Sequence, residues 1–317
     1  MFDQDISAFQ DEINSQLISV YKTGPESLVD PINYILSGKG KRVRPILTLF
    51  TAESFGGTKS ESMPAALAVE ILHNFTLVHD DIMDEDHIRH GKPTVHHKWD
   101  VGTAILSGDA MLSLALKMIQ KSPQFNEKLM TSFIDGLQAV CEGQALDKEF
   151  ETREIVTLDE YIQMIDLKTG YLLGLSAELG AISVGVNDDD VIKVREFGRL
   201  IGRAFQIQDD LLEIYSDSTN MGKSLESDLL LGKKTYLMIQ AKESVPTELN
   251  SALELAQENF TAGLEKVRIL LIDSGIRQKA EEKIKSTIEE ADFLLNELNI
   301  ETDRLSFFSN LITNRGN

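Results

Sequence analysis

Three carboxylates crowd the segment Leu77-Val-His-Asp-Asp-Ile-Met-Asp84, at Asp80, Asp81 and Asp84. A second set, Asp209, Asp210 and Glu213, closes the segment Phe205-Gln-Ile-Gln-Asp-Asp-Leu-Leu-Glu213. Both follow apolar stretches with helical spacing, in which positions three and four apart share a face. Like charges within one turn repel each other, and a buried unpaired charge is strongly disfavoured. Clustered carboxylate oxygens suit Mg2+, above all when phosphate oxygens complete its shell. A solvated acidic face or an N-terminal cap is the plainer alternative. Asn187-Asp-Asp-Asp190 fits a cap, because a fresh apolar helix follows it. The other two sets follow their apolar stretches instead of opening them, which favours a shared metal site.

Two other metal architectures fit less well. A di-iron bundle needs two Glu-x-x-His pairs, and Glu70-Ile-Leu-His73 has no second. A metal-dependent phosphohydrolase would combine His79-Asp80 with isolated histidines on other helices, but all six histidines lie between positions 73 and 97. Basic loops supply the counterpart to bound metal. Gly38-Lys-Gly-Lys-Arg-Val-Arg-Pro45 sets cations around glycines just before an expected helix over 46–53, joining guanidinium forks to backbone N–H groups at a helix start. It is not a P-loop, since the spacing differs and no strand precedes it. Lys168-Thr169, Lys223 and Lys233-Lys-Thr235 are further polyphosphate candidates.

The elements that must position these groups read as helices. The chain has 317 residues, 42% of them hydrophobic, which is enough for one large domain. Periodicity predicts an amphipathic helix over 5–22, a second starting at Ser62 and Pro64, and a third carrying Val191, Val194, Phe197, Ile201 and Leu211. No period-2 run, internal repeat or low-complexity linker interrupts the pattern, so an all-α single domain over residues 1–317 is expected. A formal net charge of −20 argues against nucleic acid as a partner. A lone cysteine, Cys141, excludes an intrachain disulfide framework and fits a reducing cytoplasm. The start Met1-Phe-Asp-Gln-Asp5 lacks signal-peptide features. Charges such as Asp109 and Glu178 interrupt the long apolar runs, so no membrane span is expected.

Taken in order, these residues resemble the trans-isoprenyl diphosphate synthases, the polyprenyl synthetase family. The shared elements are Gly-Lys-Arg-Val-Arg-Pro at 40–45, His-Asp-Asp-Ile-Met-Asp at 79–84, Arg-His-Gly-Lys-Pro-Thr at 89–94, Gly-Asp at 108–109 and Gly-Gln at 143–144. They continue with Lys-Thr-Gly at 168–170, Phe-Gln-Ile-Gln-Asp-Asp at 205–210, Gly-Lys at 222–223, Ser-Asp at 227–228 and Gly-Lys-Lys-Thr at 232–235. One Asp-Asp-x-x-Asp is weak evidence, whereas two with the basic motifs in this order are highly specific.

The resemblance implies a helical bundle around a deep central cavity, a homodimer, and head-to-tail condensation of isopentenyl diphosphate with dimethylallyl, geranyl or farnesyl diphosphate. It implies about three Mg2+ ions per active site, held by Asp80, Asp81, Asp84 and Asp209, with Asp210 and Glu213 acting further out or through water. Arg89, Lys168, Lys223 and Lys233 would bind diphosphate. Gly40, Lys41, Arg44 and His73 would bind isopentenyl diphosphate, and Thr169 and Gln206 would face the allylic cation.

Two departures from the family pattern matter. Glu213 stands where an aspartate is usual, and His90 where a second arginine normally contacts isopentenyl diphosphate. Histidine has no guanidinium fork and is mostly neutral at pH 7, so weaker isopentenyl diphosphate binding with recovery at lower pH is expected. Phe75 lies five residues before the first motif, about 7–8 Å along a helix axis. With the small Thr76 beside it, a lone aromatic at that position resembles the family's C20 (geranylgeranyl) pattern, which implies a floor there and a C20 product. Farnesyl diphosphate is the alternative, with C35–C40 products further off. A class I terpene cyclase and a non-catalytic partner subunit are the rival classes. The isopentenyl-site loop argues against the first, and two intact acid motifs argue against the second.

Overall fold

Helices make up nearly all of the described chain in the computed structural model, which describes residues 2–38, 40–215, 229 and 233–313, with side chains from residue 6 onward. In order they are α1 (Phe2–Leu17), α2 (Glu26–Leu36), α3 (Val43–Ser54) and α4 (Lys59–Met83). A hairpin of β1 (Ile88–Arg89) and β2 (Lys92–Pro93) leads to α5 (Val95–Lys98), α6 (Val101–Gln120) and α7 (Glu127–Thr152). Next come α8 (Leu158–Ile165), a π-helix (Asp166–Gly170), α9 (Tyr171–Ile182) and α10 (Asp188–Tyr215). The last are α11 (Tyr236–Ser244), α12 (Pro246–Glu258), α13 (Phe260–Asp273), α14 (Ile276–Asn296) and α15 (Asp303–Thr313). Lys223 and the rest of the segment 222–228, together with Gly232, lie outside the described residues.

The chain divides into two compact units. One comprises Met1–Leu137, Leu175–Arg195 and Leu298–Leu305, and the other Gln138–Gly174, Glu196–Glu297 and Ser306–Asn317. In the first unit α4 packs along α6 and against α3, with α2 and α5 also on α6. Its core includes Phe50, Ile71, Leu72 and Phe133, all buried. Phe9 of α1 meets the Phe50 ring edge-on at 5.5 Å. In the second unit α12 packs on α13, and α14 contacts both α11 and α13.

Local chemistry moves three helix ends from where periodicity predicts them. Helix α1 stops at Leu17 instead of 22, where the Ser19 hydroxyl donates to the Gln16 carbonyl at 2.7 Å and competes with the helix ladder. Helix α3 starts at Val43, three residues early, which puts Arg44 and Pro45 in its first turn. Helix α4 starts at Lys59, not at Ser62, and Pro64 lies inside it. There the Thr58 N–H and hydroxyl both donate to Glu61 Oε2, at 2.8 and 2.6 Å, and fasten the first turn. The cap expected at Asn187 is present, its Oδ1 accepting from the Asp190 N–H at 3.0 Å.

The hairpin is a feature that periodicity does not signal, since two-residue strands have no period. Ile88 pairs with Pro93 and Arg89 with Lys92. His90 and Gly91 between them have φ of 49° and 73°, the pattern of a type I′ turn. Tyr34 anchors the hairpin by donating from its hydroxyl to the Pro93 carbonyl at 2.7 Å. Among the described residues α6 is the one helix long and apolar enough by composition to cross a membrane, despite Asp109 and Lys117.

Candidate active site

In the first unit the first acid motif and two groups of basic residues lie on α4, the hairpin and the start of α3. Asp80 and Asp81 sit in the last turn of α4, and Asp84 caps its C-terminus. Carboxylates at a helix C-terminus oppose the macrodipole, so capping does not explain them. Asp81 is buried and accepts a short hydrogen bond from Arg89 Nε. Burial pushes the Asp81 carboxyl above its ordinary range, and Arg89 partly offsets this. Arg89 Nη2 also reaches Asp86 Oδ2 at 3.5 Å. The type I′ turn thus presents Arg89 to the first acid motif and leaves His90 exposed at its tip.

A second basic group stands where α3 begins. Arg42 adopts left-handed backbone (φ 52°) and is 5% exposed. Its guanidinium donates to Glu70 Oε1 at 2.6 Å, to Asn14 Oδ1 at 2.8 Å, and to the carbonyls of Leu36 and Gly38. These bonds fix the loop before α3. Lys41 and Gly40 remain exposed on it, the Lys41 carbonyl accepting from Gln10 Nε2 at 2.9 Å. Two residues on, Arg44 Nη1 lies 3.1 Å from His73 Nε2. Arginine only donates, so His73 Nε2 is the acceptor and its proton sits on Nδ1. Burial first, then Arg44, Arg89, Arg42 and His90, hold the His73 imidazole well below its usual titration range. Arg44 Nε is buried with no hydrogen-bond partner, so an anion could take up its donor.

The second unit carries the other acid motif and Lys168. Its π-helix bears Lys168 and Thr169, and the Tyr171 N–H reaches back five residues to the Asp166 carbonyl. Such wide turns are rare and recur at functional sites. Two devices hold it. Arg199 pairs with the Asp166 carboxylate through Nη2 and Nε. On the other side α7 comes close only because residue 143 is glycine, where a Cβ would lie 2.4 Å from the Lys168 nitrogen. Lys168 Nζ then donates to Asp147 Oδ2 at 2.5 Å, and Thr169 Oγ1 to Gln206 Oε1 at 3.1 Å. On α7 the Gln144 carboxamide is buried with neither polar atom partnered.

Asp209 and Glu213 are half-buried near the C-terminal end of α10, while Asp210 is buried. Asp210 Oδ2 accepts from the Tyr161 hydroxyl at 2.5 Å and from the Tyr236 N–H at 2.8 Å. Burial pushes its carboxyl up to about 6, those two donors working against the shift. Burial, with Asp210 alongside, raises the Tyr161 phenol well above its usual value. Lys233 is exposed.

The donor set of the two acid motifs suits Mg2+. It is all carboxylate oxygen, as a hard cation requires. Among the described residues no three His, Cys, Asp or Glu groups meet around one point. Carboxylates so placed would supply only part of a metal's shell, an arrangement that suits a cation that keeps waters and takes substrate oxygens. Sequence reasoning missed Arg42, Glu70, Asp86, Asp147, Tyr161, Asp166 and Arg199. Arg42 and Glu70 carried a signal, one inside the basic loop and the other in the Glu-x-x-His pair, where Glu70 serves Arg42 and not iron. Asp86 is three residues from Arg89 but falls outside both acid motifs, and the partnerships of Asp147, Tyr161, Asp166 and Arg199 join residues far apart in sequence.

Comparison with known proteins agrees. The polyprenyl synthetase family profile matches residues 25–270. The geranylgeranyl diphosphate synthase of Methanosarcina mazei is 42% identical over 224 residues, covering 70% of this chain and 69% of that protein. The geranylfarnesyl diphosphate synthase of Natronomonas pharaonis is 37% identical over 255 residues, covering 73% of each. The crystal structure of a geranylgeranyl pyrophosphate synthetase from Pyrococcus horikoshii superposes with a TM-score of 0.89 at 32% identity, covering 99% of both chains. With this all-α fold and both acid motifs in place, the chain belongs to the polyprenyl synthetase family and is a trans-prenyltransferase.

Proposed function

We propose that this protein condenses isopentenyl diphosphate with allylic diphosphates to give geranylgeranyl diphosphate, and that its whole length forms one catalytic domain. The observation that carries the reading is the placement of both acid motifs near the C-terminal ends of α4 and α10, where carboxylates oppose the helix dipole. Asp80, Asp81, Asp84 and Asp209 would hold about three Mg2+ ions, with Asp210 and Glu213 outside them. Asp210 suits that outer place, because Tyr161 and Tyr236 already occupy one of its oxygens. Bound Mg2+ would neutralise the diphosphate as it leaves.

The chain's own groups do the rest. Arg89, Lys168, Lys223 and Lys233 grip the allylic diphosphate and stabilise its growing charge. Thr169 and Gln206 present oxygen dipoles to the allylic cation, their mutual hydrogen bond keeping them aimed. Gly40, Lys41, Arg44 and His73 seat isopentenyl diphosphate. His73 is kept neutral, so it accepts from Arg44 and leaves the remaining guanidinium donors for phosphate. The isopentenyl double bond attacks the cation, and the proton lost afterwards goes to the departing diphosphate. Water must stay out, since it would trap the cation.

Val101, Ile105 and Leu106 are 49%, 43% and 62% exposed on α6, which supports a homodimer and offers an alternative to a membrane as the use of that apolar helix. The unpaired Cys141 supports a cytoplasmic location. The test is incubation with isopentenyl diphosphate, each allylic primer and Mg2+, followed by product sizing. A C20 diphosphate is expected. A C25 product would align the chain with its geranylfarnesyl relative, and cyclic hydrocarbons or no turnover would refute the proposal. Sedimentation of the protein as a monomer would refute the dimer.

A further inference from the structure

The His79 ring is fixed on two sides although no substrate role falls to it. It lies one helical turn from Phe75 on the same face of α4. The two rings meet edge to face, with centroids 4.8 Å apart and planes at 61°. On the other side His79 Nε2 is 3.3 Å from the Ile105 carbonyl of α6. A carbonyl only accepts, so Nε2 carries the proton. The ring sits where residue 108 has no side chain, since a Cβ on Gly108 would lie 2.2 Å from His79 Nε2 and 2.6 Å from Cδ2.

Phe75 is buried, and the His79 ring forms one wall of its packing. Here it has a backstop. Any retreat toward α6 meets an imidazole that is itself wedged against α6 backbone.

We propose that His79, seated in the notch left by Gly108, is a positioning residue that sets product length by holding the Phe75 ring in place. This rests on the reading of Phe75 as the floor of the prenyl chamber. His79→Ala removes the backstop, lets the ring fall back, and shifts the product toward longer chains. Gly108→Ala forces the imidazole toward Phe75 and shifts the product toward shorter chains. His79→Phe keeps an aromatic edge and retains the wild-type length.

The experiment measures product distributions of the full-length variants with isopentenyl diphosphate, dimethylallyl diphosphate and Mg2+, so that products shorter than C20 are also seen. Phe75→Ala alone should lengthen the product, and adding His79→Ala to it should change nothing more. A purely structural role would alter turnover without moving chain length in opposite directions. Unchanged lengths in His79→Ala or in Gly108→Ala overturn the backstop, as does a further shift in the double variant. Should His79→Ala be inactive, the Gly108→Ala distribution decides. Wild-type protein that makes no prenyl diphosphate refutes the underlying function instead. If Phe75→Ala leaves wild-type lengths unchanged, the floor itself is refuted.

Discussion

Arg42 and Glu70 form a buried ion pair whose disruption separates stability from substrate binding. Their side chains are 4% and 5% exposed and 2.6 Å apart. Removing either partner strands a charge in the core, which costs about 3–5 kcal/mol. At roughly 1.5 °C per kcal/mol for a chain of this length, Glu70→Ala should lower the melting temperature by roughly 5–8 °C. Arg42→Ala should cost a similar amount, because it also leaves Asn14 and the Leu36 and Gly38 carbonyls without their donor. The double variant Arg42→Met/Glu70→Leu buries no charge and should recover most of the loss. It should still bind isopentenyl diphosphate poorly, since the loop bearing Lys41 and Arg44 has lost its anchor. A KM increase of about tenfold corresponds to 1.4 kcal/mol of lost positioning. Thermal melts and steady-state kinetics on the three variants decide it. Single variants that lose under about 1 kcal/mol, or a double variant with wild-type KM, would refute the reasoning.

Three other outcomes are expected. His90→Arg should lower the KM for isopentenyl diphosphate by restoring a guanidinium at the exposed hairpin tip, and an unchanged KM would remove His90 from that site. Bonds from Thr157 and Arg153 hold the Glu160 carboxyl down to about 2, so its contribution is present above its unfolded value of 4.5 and is lost as pH falls toward 2. The melting-temperature gap between wild type and Glu160→Gln should therefore narrow below pH 4.5, and a constant gap from pH 6 to pH 3 would contradict this. Gln144→Leu removes a buried carboxamide that lacks partners and should raise stability by about 1–3 kcal/mol, whereas a lower melting temperature would show that the amide is satisfied.

The helical class and the acid and basic motifs were legible because each depends on residues close together in sequence. The same periodicity placed the start of α4 three residues late, since Thr58-Lys-Ser-Glu61 is a polar signal lying outside the apolar stripe. The hairpin was opaque because its strands are too short to alternate, although a His-Gly turn between short segments is a weak hint. Least visible were the groups that aim the site. Asp147 against Lys168, Tyr161 against Asp210 and Asp166 against Arg199 are 21, 49 and 33 residues apart in sequence. No local pattern pairs a carboxylate with a donor at such distances.

The π-helix has a consequence for how this protein can change. A π turn is an α-helix with one residue too many, so Lys168 and Thr169 face where they do because of the chain's length there as well as its composition. Deleting one residue between Asp166 and Gly170 would restore ordinary pitch and rotate everything N-terminal to it by about 100° around the axis. Every side chain named on α8 would survive such a deletion, and Tyr161 would no longer point at Asp210. Point substitutions can tune this segment, but the catalytic register is written in a single inserted residue. A deletion scan would find that residue where an alanine scan passes over it.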